Sequence, residues 1–316
     1  MNTHLWPRVL LLEIAVIFAA VPVAWAADKP KGTPNAEKLG WRLGCQAYSF
    51  NKFTFFEAVD KTASVGLKYI EAFPNQKLSA DMPGATFDQN MSEDAQKAVK
   101  AKLDAAGVKL VNYGVVGLPN DERECRKVFD FAKKMGVETI VSEPSKETMS
   151  LLDKLTEEYG INVAIHNHPK PSPYWDYKTE LEALQGHSKR IGSCADTGHW
   201  MRSCTDSAET VKKLKEQYGP DAESHMHFLN SLEGIKALSG RIISLHLKDL
   251  DTVGKMAHDV PWGTGKTDVK GILAELKRQG FKGVFSIEYE YNYENSVPEI
   301  AQCVANFEAM AAELAK

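Results

Sequence analysis

Short apolar segments alternate along the chain with longer segments in which apolar residues recur at spacings of three and four. A short apolar run between turn residues is typical of a buried β-strand. Eight strands are predicted, at residues 42–50, 68–73, 108–116, 137–144, 161–169, 190–199, 241–250 and 282–291. Their even spacing indicates one structural unit repeated along the chain.

The segments between the strands have the periodicity of amphipathic helices. Helices are predicted at residues 55–66, 92–107, 121–136, 146–160, 177–188, 206–219, 269–280 and 297–316. Several of these segments end in Gly, which commonly terminates a helix. Strict alternation requires right-handed crossovers and a parallel sheet, so eight units favour an α/β fold of the closed (β/α)8 type, a TIM barrel. An open, doubly wound sheet is the alternative that the pattern leaves.

The N-terminal residues have a different character. MNTHLWPRVLLLEIAVIFAAVPVAWA contains Arg8, an apolar run and small residues before Ala27, which is typical of a secretory signal peptide. We therefore expect a signal peptide at 1–26, a polar linker at 27–39 and a single barrel domain at 40–316. This predicts a periplasmic or secreted protein with no stable membrane insertion after cleavage. An uncleaved anchor is the alternative, but the run is short for a span of roughly 20 residues.

The composition, with 43% hydrophobic and 25% charged residues, is that of a folded, soluble protein. A net charge of -4 and a pI of about 6.2 give no basic surface field, which argues against nucleic-acid binding. The five cysteines are scattered, so a disulfide framework is not expected, although a pair of Cys194 and Cys204 stays open. Whether the protein forms a homo-oligomer also stays open.

Ionisable residues gather at the C-terminal ends of the predicted strands, where TIM barrels carry their active sites. They are Glu71, Glu143, His166, His168, Asp196, His199, His246, Lys248, Glu288 and Glu290. In FSIEYEY, side chains alternate between two faces, so Glu288 and Glu290 should point with Ser286 toward the barrel axis. Two insertions, at 75–92 and 206–240, follow strands on the same side of the barrel.

Carboxylates buried together need a cation, because like charges raise each other's pKa and desolvation costs several kcal/mol per ion. Two Glu, one Asp and one His from four strands offer mixed oxygen and nitrogen ligands that suit Mn²⁺, Mg²⁺, Co²⁺ or Zn²⁺. This predicted metal set is Glu143, Asp196, His246 and Glu288. A salt bridge or a satisfied histidine is the alternative for any single member, and it weakens when four strands converge.

Two other segments only superficially suggest binding sites. GTGKTD (263–268) has Val260 where a phosphate-binding loop requires Gly. We interpret it as a Gly-rich turn that lines the site together with Trp262. HMHF (225–228) offers two histidines without supporting partners, so no metal is expected there.

Five segments together resemble the sugar phosphate isomerase/epimerase family, which has a xylose isomerase-like TIM barrel. They are Glu143 at the fourth strand, DTGHW (196–200), SLHLKD (244–249), DVPWGTG (259–265) and FSIEYE (285–290). The resemblance covers the chain from about residue 40 onward. It implies that the predicted metal set holds one divalent cation. It also implies that Glu143 and Glu288 form an acid/base pair and that His199 contacts substrate.

Further candidates for substrate contact are Lys248, His166, His168, Glu71 and Trp262. Ketose epimerases of this family usually carry Arg six residues after the metal histidine. This chain has Thr252 there, which argues against a simple ketose 3-epimerase.

The activity implied by the resemblance is that of an isomerase or epimerase acting on a sugar or keto-sugar. A base removes the proton next to a carbonyl, and the metal stabilises the resulting ene-diolate. Loss of a β-substituent from the same intermediate would instead define a lyase, a dehydratase or an enzyme that cleaves keto-glycosides. A periplasmic sugar-binding protein is the non-enzymatic alternative. Export and the lack of an evident Arg/Lys phosphate clamp favour an unphosphorylated carbohydrate.

Overall fold

The structure is a computed structural model and describes residues 30–203 and 208–316. The strands are β1 (Arg42–Gln46), β2 (Tyr69–Ala72), β3 (Gln76–Lys77), β4 (Thr86–Phe87), β5 (Lys109–Tyr113), β6 (Thr139–Ser142), β7 (Asn162–His166), β8 (Ile191–Asp196), β9 (Ile242–His246), β10 (Asp249–Leu250), β11 (Asp259–Val260) and β12 (Val284–Ile287). The helices are α1 (Pro34–Lys38), α2 (Phe55–Ser64), α3 (Glu93–Ala106), α4 (Glu122–Met135), α5 (Met149–Tyr159), α6 (Tyr177–Ala183), α7 (Thr197–Ser203), α8 (Ala208–Tyr218), α9 (Ala222–Ala237), α10 (Val269–Arg278) and α11 (Val297–Leu314). The predicted signal peptide and Cys204 lie outside the described residues.

Eight strands close into a barrel in the order β1, β12, β9, β8, β7, β6, β5, β2. Every neighbouring pair is parallel, including β1 with β2, which closes the ring. This confirms the predicted (β/α)8 barrel. Since all the strands run in one direction, their C-terminal ends share one rim. β6 and β12 are four positions apart in this ring of eight, so their C-terminal ends lie on opposite sides of the rim.

Each predicted strand is present but shorter than expected. The sixth was predicted at 190–199, whereas β8 ends at Asp196 and α7 begins at Thr197. The chain turns here because Oδ1 of Asp196 accepts a hydrogen bond of 2.6 Å from the backbone N–H of His199, as an N-terminal helix cap does. The insertion at 75–92 contains the hairpin β3–β4, and the insertion at 206–240 contains α8 and α9.

Helix ends follow the predicted signals. Thr54 and Glu57 form a reciprocal capping box at the start of α2. The helices α3, α4 and α5 end at Gly107, Gly136 and Gly160, whose φ angles of 67°, 77° and 69° are left-handed and therefore favour glycine. The predicted glycine stops are confirmed at these three positions.

Part of the segment predicted as a polar linker is helical. Pro34 to Lys38 form α1, and the backbone N–H of Asn35 donates a hydrogen bond of 2.7 Å to Glu308 of α11. Ala36 is fully buried beneath this contact. The segment that enters the barrel is thus anchored to the last helix.

The main apolar core fills the layer between the strands and the surrounding helices. It includes Trp41, whose ring centroid lies 5.3 Å from that of Phe285. A smaller cluster of Val141, Ala164 and Cys194 comes from β6, β7 and β8. Each of these three residues precedes, by two positions on the same strand face, an ionisable residue at the rim. The barrel interior is therefore closed by small apolar side chains directly below the polar rim.

No helix within residues 30–203 and 208–316 combines the length and the apolar character needed to cross a membrane. Cys45, Cys125, Cys194 and Cys303 are buried free thiols. The partner considered for Cys194 is outside the described residues, so that pairing stays untested.

Candidate active site

The candidate site lies where four neighbouring strands, β7, β8, β9 and β12, reach the C-terminal rim. These ends supply His166, Asp196, His246 and Glu288, each less than a tenth exposed. One nitrogen or oxygen from each residue lies within 4.8 Å of the others. The structure thus brings together three of the four predicted metal ligands, with His166 in the place expected for Glu143.

Asp196 is held in place by hydrogen bonds to Asn167 and to the backbone of His199. Its backbone N–H donates a hydrogen bond of 2.8 Å to the amide oxygen of Asn167, and its carbonyl accepts one of 2.9 Å from the Asn167 amide nitrogen. Its Oδ1 caps α7, which leaves Oδ2 for the site. This buried Oδ2 accepts no hydrogen bond from the described residues, although the ammonium of Lys248 lies 3.0 Å away.

His246 is oriented by a carboxylate beneath it. Its Nε2 lies 3.0 Å from Oε1 of Glu71 and donates a hydrogen bond to it, so a metal ion would be bound through Nδ1. Nδ1 lies 3.1 Å from Oε2 of Glu288 and 3.1 Å from Nε2 of His166. A histidine whose second nitrogen donates to a carboxylate is the usual arrangement of a metal ligand.

Glu71 lies below the site and not in contact with solvent. It is only 1% exposed. Besides His246, it accepts hydrogen bonds from Ser286 at 2.6 Å, Asn112 at 3.1 Å and Gln46 at 3.4 Å. Four donors surround this one carboxylate, and the predicted substrate contact at Glu71 stays a prediction. In the structure, Glu71 orients the ring of His246.

Lys248 provides a fixed positive charge inside the site. Its side chain is fully buried. The ammonium lies 3.0 Å from Asp196 Oδ2, 2.9 Å from Glu288 Oε2 and 2.5 Å from Glu290 Oε2. The structure therefore places Lys248 among buried carboxylates, and its predicted substrate contact stays a prediction.

The motifs DTGHW and SLHLKD are joined through Lys248. The hydroxyl of Thr197 donates to the Lys248 carbonyl at 3.0 Å and accepts from the Lys248 N–H at 2.8 Å. A Cβ added at Gly198 would lie 2.7 Å from Cδ of Lys248. Only glycine at this position leaves room for the lysine stem, so the two motifs form one packed unit.

Arg202 is a second cation near the site that the sequence pattern did not predict. It lies on α7, and its Nη1 is 2.9 Å from Glu290 Oε2 while its Nη2 is 3.0 Å from Asp259 Oδ2. Glu290 thereby bridges Lys248 and Arg202. The available signal was the spacing of three between His199 and Arg202, which places both on one face once 197–203 is recognised as a helix.

Glu143 follows β6, the next strand in the ring. Its Oε1 is in direct contact with Nδ1 of His168 and lies 3.9 Å from Nδ1 of His166. Its Oε2 accepts a hydrogen bond of 2.9 Å from the Ser172 hydroxyl. Glu143 therefore lies beside the four-residue group and faces the Nδ1 side of His166, and its role as a metal ligand stays a prediction.

A cavity of about 400 Å³ opens above the site, and its walls include Glu288, Glu290 and His168. The aromatic side chains of Tyr48 and Phe73 also line this cavity. Tyr48 contacts Phe73 edge to face, with ring centroids 5.2 Å apart, and contacts Tyr293 at 6.1 Å. Such rings offer a large apolar area to a bound molecule. The sequence pattern did not single out Tyr48 and Phe73, although both stand just after barrel strands.

His199, predicted to contact substrate, lies on α7 beside the site. It is 7% exposed, and its ring centroid lies 4.8 Å from that of His168. Its Nε2 is 3.8 Å from Oδ2 of Asp196. The structure places His199 next to the group, and substrate contact there stays a prediction.

The GTGKTD segment is a turn around a buried carboxylate. Oδ2 of Asp249 accepts hydrogen bonds of 2.8 Å from the backbone N–H groups of Gly263 and Gly265, and Oδ1 accepts one of 2.9 Å from Thr267. Trp262, just before the turn, is 1% exposed and packs against an aromatic ring of α11 at 5.6 Å. The ring of Trp262 therefore lies in the core between the barrel and α11, and its predicted contact with the site stays a prediction.

The ionisation states follow from competing effects of burial and neighbouring charge. Burial opposes ionisation of Asp196, but His199 and Lys248 hold its pKa well below the usual range. Burial likewise opposes ionisation of Glu288, whereas Lys248 and His246 hold its pKa well below the usual range. For Glu143, burial is outweighed by hydrogen bonds from histidines, which lower its pKa to about 2. All three carboxylates are ionised at neutral pH.

The donor set fits a divalent cation. Glu71, Glu143, Asp196, Glu288 and Glu290 supply five carboxylates, against the permanent cations Lys248 and Arg202. Burial opposes protonation of His166 and His246, but neighbouring negative groups raise the pKa of His166 to about 10 and that of His246 well above its usual range. Both rings are therefore protonated without metal, and a divalent cation would replace these protons. Separations among the four grouped ligand atoms include 3.1, 3.6 and 4.0 Å. A tetrahedral site with bonds of about 2.0–2.2 Å has ligand separations of about 3.3–3.6 Å.

Comparison with protein-family models gives a match over residues 59–310 to the xylose isomerase-like TIM barrel family. No curated protein matches the chain. Solved structures do, and one is an uncharacterised protein from Parabacteroides distasonis that is 33% identical, with a TM-score of 0.62. That match covers 85% of this chain and 98% of the other.

Two more distant structures show the same fold. A xylose isomerase-like TIM barrel protein from Mycobacterium smegmatis, solved in complex with magnesium, is 10% identical, with a TM-score of 0.61 over 87% of this chain and 98% of that one. The 3-keto-D-glucoside 4-epimerase from E. coli is 12% identical, with a TM-score of 0.57 over 85% of this chain and 99% of that one.

Proposed function

We propose, from the premise that this chain belongs to the xylose isomerase-like TIM barrel family, that it is a divalent-metal-dependent isomerase or epimerase of a sugar or keto-sugar. One observation carries the proposal. Glu288, ionised and only 8% exposed, borders the cavity and contacts His246 of a group that fits a divalent cation. A buried carboxylate next to such a group is the arrangement needed to remove a proton from a carbon acid.

The distant relatives support this chemistry without establishing it for this chain. One was solved with magnesium, and another is an epimerase of a keto-glucoside. Their identities of 10% and 12% establish a shared fold alone. The proposal therefore rests on the residues of this chain, and these relatives indicate which metals and substrates to test first.

The cation would be held by Asp196, His246 and Glu288, with His166 completing the group. When bound, it would polarise a substrate carbonyl and so acidify the neighbouring C–H bond. Glu71 keeps the proton of His246 on Nε2, and Lys248 keeps Asp196 and Glu288 ionised by its charge.

Proton transfer is assigned to two glutamates. Glu288 follows β12 and Glu143 follows β6, and these strands end on opposite sides of the rim. A substrate between them would lose a proton to Glu288 and, for epimerisation, gain one on the other face from Glu143, which would first have to take a proton from its contacting histidine, His168. The proton removed by an ionised carboxylate remains on that residue until product forms.

The aromatic residues that line the cavity, Tyr48 and Phe73, would bind an uncharged substrate. Tyr48 and Phe73 offer aromatic rings to the cavity, and Tyr293 packs against Tyr48, while Glu290 and His168 offer polar groups. A sugar ring has apolar C–H faces and polar edges, so it matches both kinds of side chain.

Cleavage of a keto-glycoside by β-elimination is the second candidate. The rings of Tyr48 and Phe73 line the same cavity as Glu288 and would hold a second ring or an aglycone. The first step, removal of the α-proton by Glu288, is common to both reactions. They differ in whether a β-substituent leaves before the proton returns.

The test uses the metal-loaded mature protein in D₂O with a panel of sugars, keto-sugars and keto-glycosides. We expect NMR to show deuterium at the carbon next to the carbonyl, and no uptake after chelation of the metal. Release of an aglycone would select elimination, and a changed configuration would select epimerisation. Absence of exchange across the whole panel with metal-loaded protein would count against both candidates.

We also propose that the protein acts outside the cytoplasm after removal of residues 1–26. The support is the arrangement of Arg8, an apolar run and small residues before Ala27. Intact-mass measurement after expression in a bacterial host with two membranes should find a periplasmic product beginning at Ala27. A full-length product retained in the cytoplasm would contradict the proposal.

A further inference from the structure

Two glutamates that follow β12, Glu288 and Glu290, both line the cavity. Glu290 is the more exposed of the two, with 21% of its side chain accessible against 10% for Glu288. The proposed function uses Glu288 as the base and gives Glu290 no defined part. The contacts of Glu290 indicate what that part is.

The two oxygens of the Glu290 carboxylate have different surroundings. Oε2 accepts a hydrogen bond of 2.5 Å from the ammonium of Lys248 and one of 2.9 Å from Nη1 of Arg202. Oε1 has no donor among the residues whose side chains the structure describes. The carboxylate is therefore fixed through one oxygen, and the other oxygen is left as an acceptor for a molecule in the cavity.

The two cations that hold Oε2 are themselves bound by protein groups. The side chain of Lys248 is fully buried, and its ammonium lies within 3.0 Å of three carboxylates. Arg202 donates from Nε to the carbonyl of Ala257 at 3.3 Å and from Nη2 to Asp259 at 3.0 Å. Its guanidinium is thus fixed between α7 and the β10–β11 hairpin. Neither cation is among the residues that line the cavity.

The described wall of the cavity consequently offers acceptors and apolar surface but no Lys or Arg. The amide of Gln46 is occupied, because Nε2 donates to the Gly114 carbonyl at 2.8 Å and Oε1 accepts from the Tyr48 N–H at 2.9 Å. A hydroxyl group can donate to a carboxylate oxygen. A phosphate group placed at Glu290 would instead face a like charge, which is unfavourable.

We propose that Glu290 determines the substrate specificity of the site: its Oε1 accepts a hydrogen bond from a hydroxyl group of an uncharged carbohydrate and disfavours a phosphorylated one. The choice of a carbohydrate as the ligand rests on the proposed function. The ammonium of Lys248 also contacts Oε2 of Glu288 at 2.9 Å, so both carboxylates are tied to one group. A hydroxyl bound at Glu290 is thereby held at a fixed position relative to the base.

Replacement of Glu290 by Gln tests this role with little change in shape. Lys248 and Arg202 both require an acceptor at the position of Oε2, so the amide must turn its carbonyl oxygen there and present its NH₂ group to the cavity. The acceptor for the hydroxyl thereby becomes a donor. We expect the affinity for an uncharged sugar to fall about 10–100-fold, as for the loss of a hydrogen bond to a charged group.

The measurement is ligand-observed NMR binding to the metal-loaded protein, which requires no turnover. The probes are D-glucose, D-galactose and D-fructose, each with its 6-phosphate. Wild type should bind at least one uncharged sugar about 10-fold more tightly than its 6-phosphate, and Glu290→Gln should lose this preference. Glu294→Gln is the matched control, because it removes the same charge from an exposed position four residues further along, and it should bind as the wild type does.

Replacement of Glu290 by Asp separates the contact from the charge. Asp keeps the negative charge but shortens the side chain, so the affinity for the uncharged sugar should fall while the 6-phosphate stays disfavoured. Thermal unfolding verifies that each variant is folded. Wild-type affinity for the uncharged sugar in a folded Glu290→Gln or Glu290→Asp variant would overturn the proposal. Wild-type protein that binds none of the uncharged sugars, or binds every 6-phosphate at least as tightly, would overturn it as well.

Binding and exchange together separate this inference from the proposed function. Uncharged sugars that bind through Glu290, without deuterium uptake into any member of the panel, would refute the function and keep the binding role. Deuterium uptake together with unchanged affinity in Glu290→Gln would do the reverse.

Discussion

Replacement of Glu71 by Gln tests the assignment of this residue as the partner that orients His246. Glu71 accepts hydrogen bonds from four donors, at distances of 2.6 to 3.4 Å. A Gln amide keeps the shape but replaces one acceptor oxygen with an NH₂ group. At least one donor must then face another donor, and the Nε2–H of His246 loses the carboxylate that holds its proton in place.

Two effects of this change can be given a magnitude. Loss of a buried hydrogen bond to a charged group costs about 1.5–3 kcal/mol of unfolding free energy. Loss of the partner that orients a metal-ligating histidine weakens metal affinity about 10–100-fold, or about 1.4–2.7 kcal/mol. We expect both effects in Glu71→Gln, because the carboxylate is buried and no solvent can replace it.

Calorimetric titration of metal-free protein with Co²⁺ measures the affinity, and urea unfolding measures the stability. Glu275→Gln is the control, since Glu275 pairs with Arg278 at 2.6 Å on α10 and makes no contact with the site. That variant should bind metal as the wild type does. Unchanged metal affinity in Glu71→Gln, together with a raised KM, would refute the positioning role and support the predicted substrate contact.

Three further substitutions test the packing and charge around the site. Lys248→Met should lower the unfolding free energy of the metal-free protein by about 3–5 kcal/mol, because three carboxylates lose their shared ammonium. Saturating metal should restore part of this loss in thermal unfolding. An equal loss with and without metal would contradict this. Gly198→Ala places a Cβ 2.7 Å from the Lys248 stem and should cost about 1–3 kcal/mol, whereas Gly117→Ala, with open space around it, should be neutral in the same assay. Burial raises the pKa of Glu180 to about 8, so the folded state binds the carboxyl proton more tightly than the unfolded chain does. The stability that this proton contributes is therefore lost as the pH rises toward 8. Glu180→Gln should therefore gain stability relative to wild type in urea unfolding at pH 9 but not at pH 4, and exposed Glu182→Gln should show no such difference.

The barrel was predictable because its signals are local and repeat. Eight apolar segments, eight amphipathic segments and glycines such as Gly107 and Gly136 each contribute independently to the same topology. The strand ends were less predictable. β8 ends at Asp196 because the side chain of that residue caps α7, and apolar periodicity does not report a cap made by a residue that also serves the site.

The sequence predicted which way the side chains of the candidate site point, but not how far below the rim they lie. Side-chain alternation correctly turned His246 and Glu288 toward the axis, since a strand has only two faces. Alternation does not tell how far below the rim a residue lies. Glu71 and Lys248 point inward as expected, yet both are buried beneath the cavity.

The parts of the site that the sequence did not predict depend on contacts between segments that are distant along the chain. Glu143 and His166 come from neighbouring strands, and Asn167 fixes residues 166–168 to β8 by pairing with the backbone of Asp196. Arg202 reaches the site from a helix that begins inside a predicted strand. The aromatic rings near the cavity come from residues far apart in sequence, such as Tyr48 and Tyr293. No local pattern contains these contacts.

The most direct test of the proposed function is the rate of deuterium uptake by Glu288→Gln, compared with wild type at equal metal content. Gln keeps the size of the side chain and removes its capacity to accept a proton. With a substrate identified from the panel, we predict a fall of at least about 100-fold while the barrel remains folded. Uptake at the wild-type rate in a folded, metal-loaded Glu288→Gln variant would contradict the assignment of Glu288 as the base.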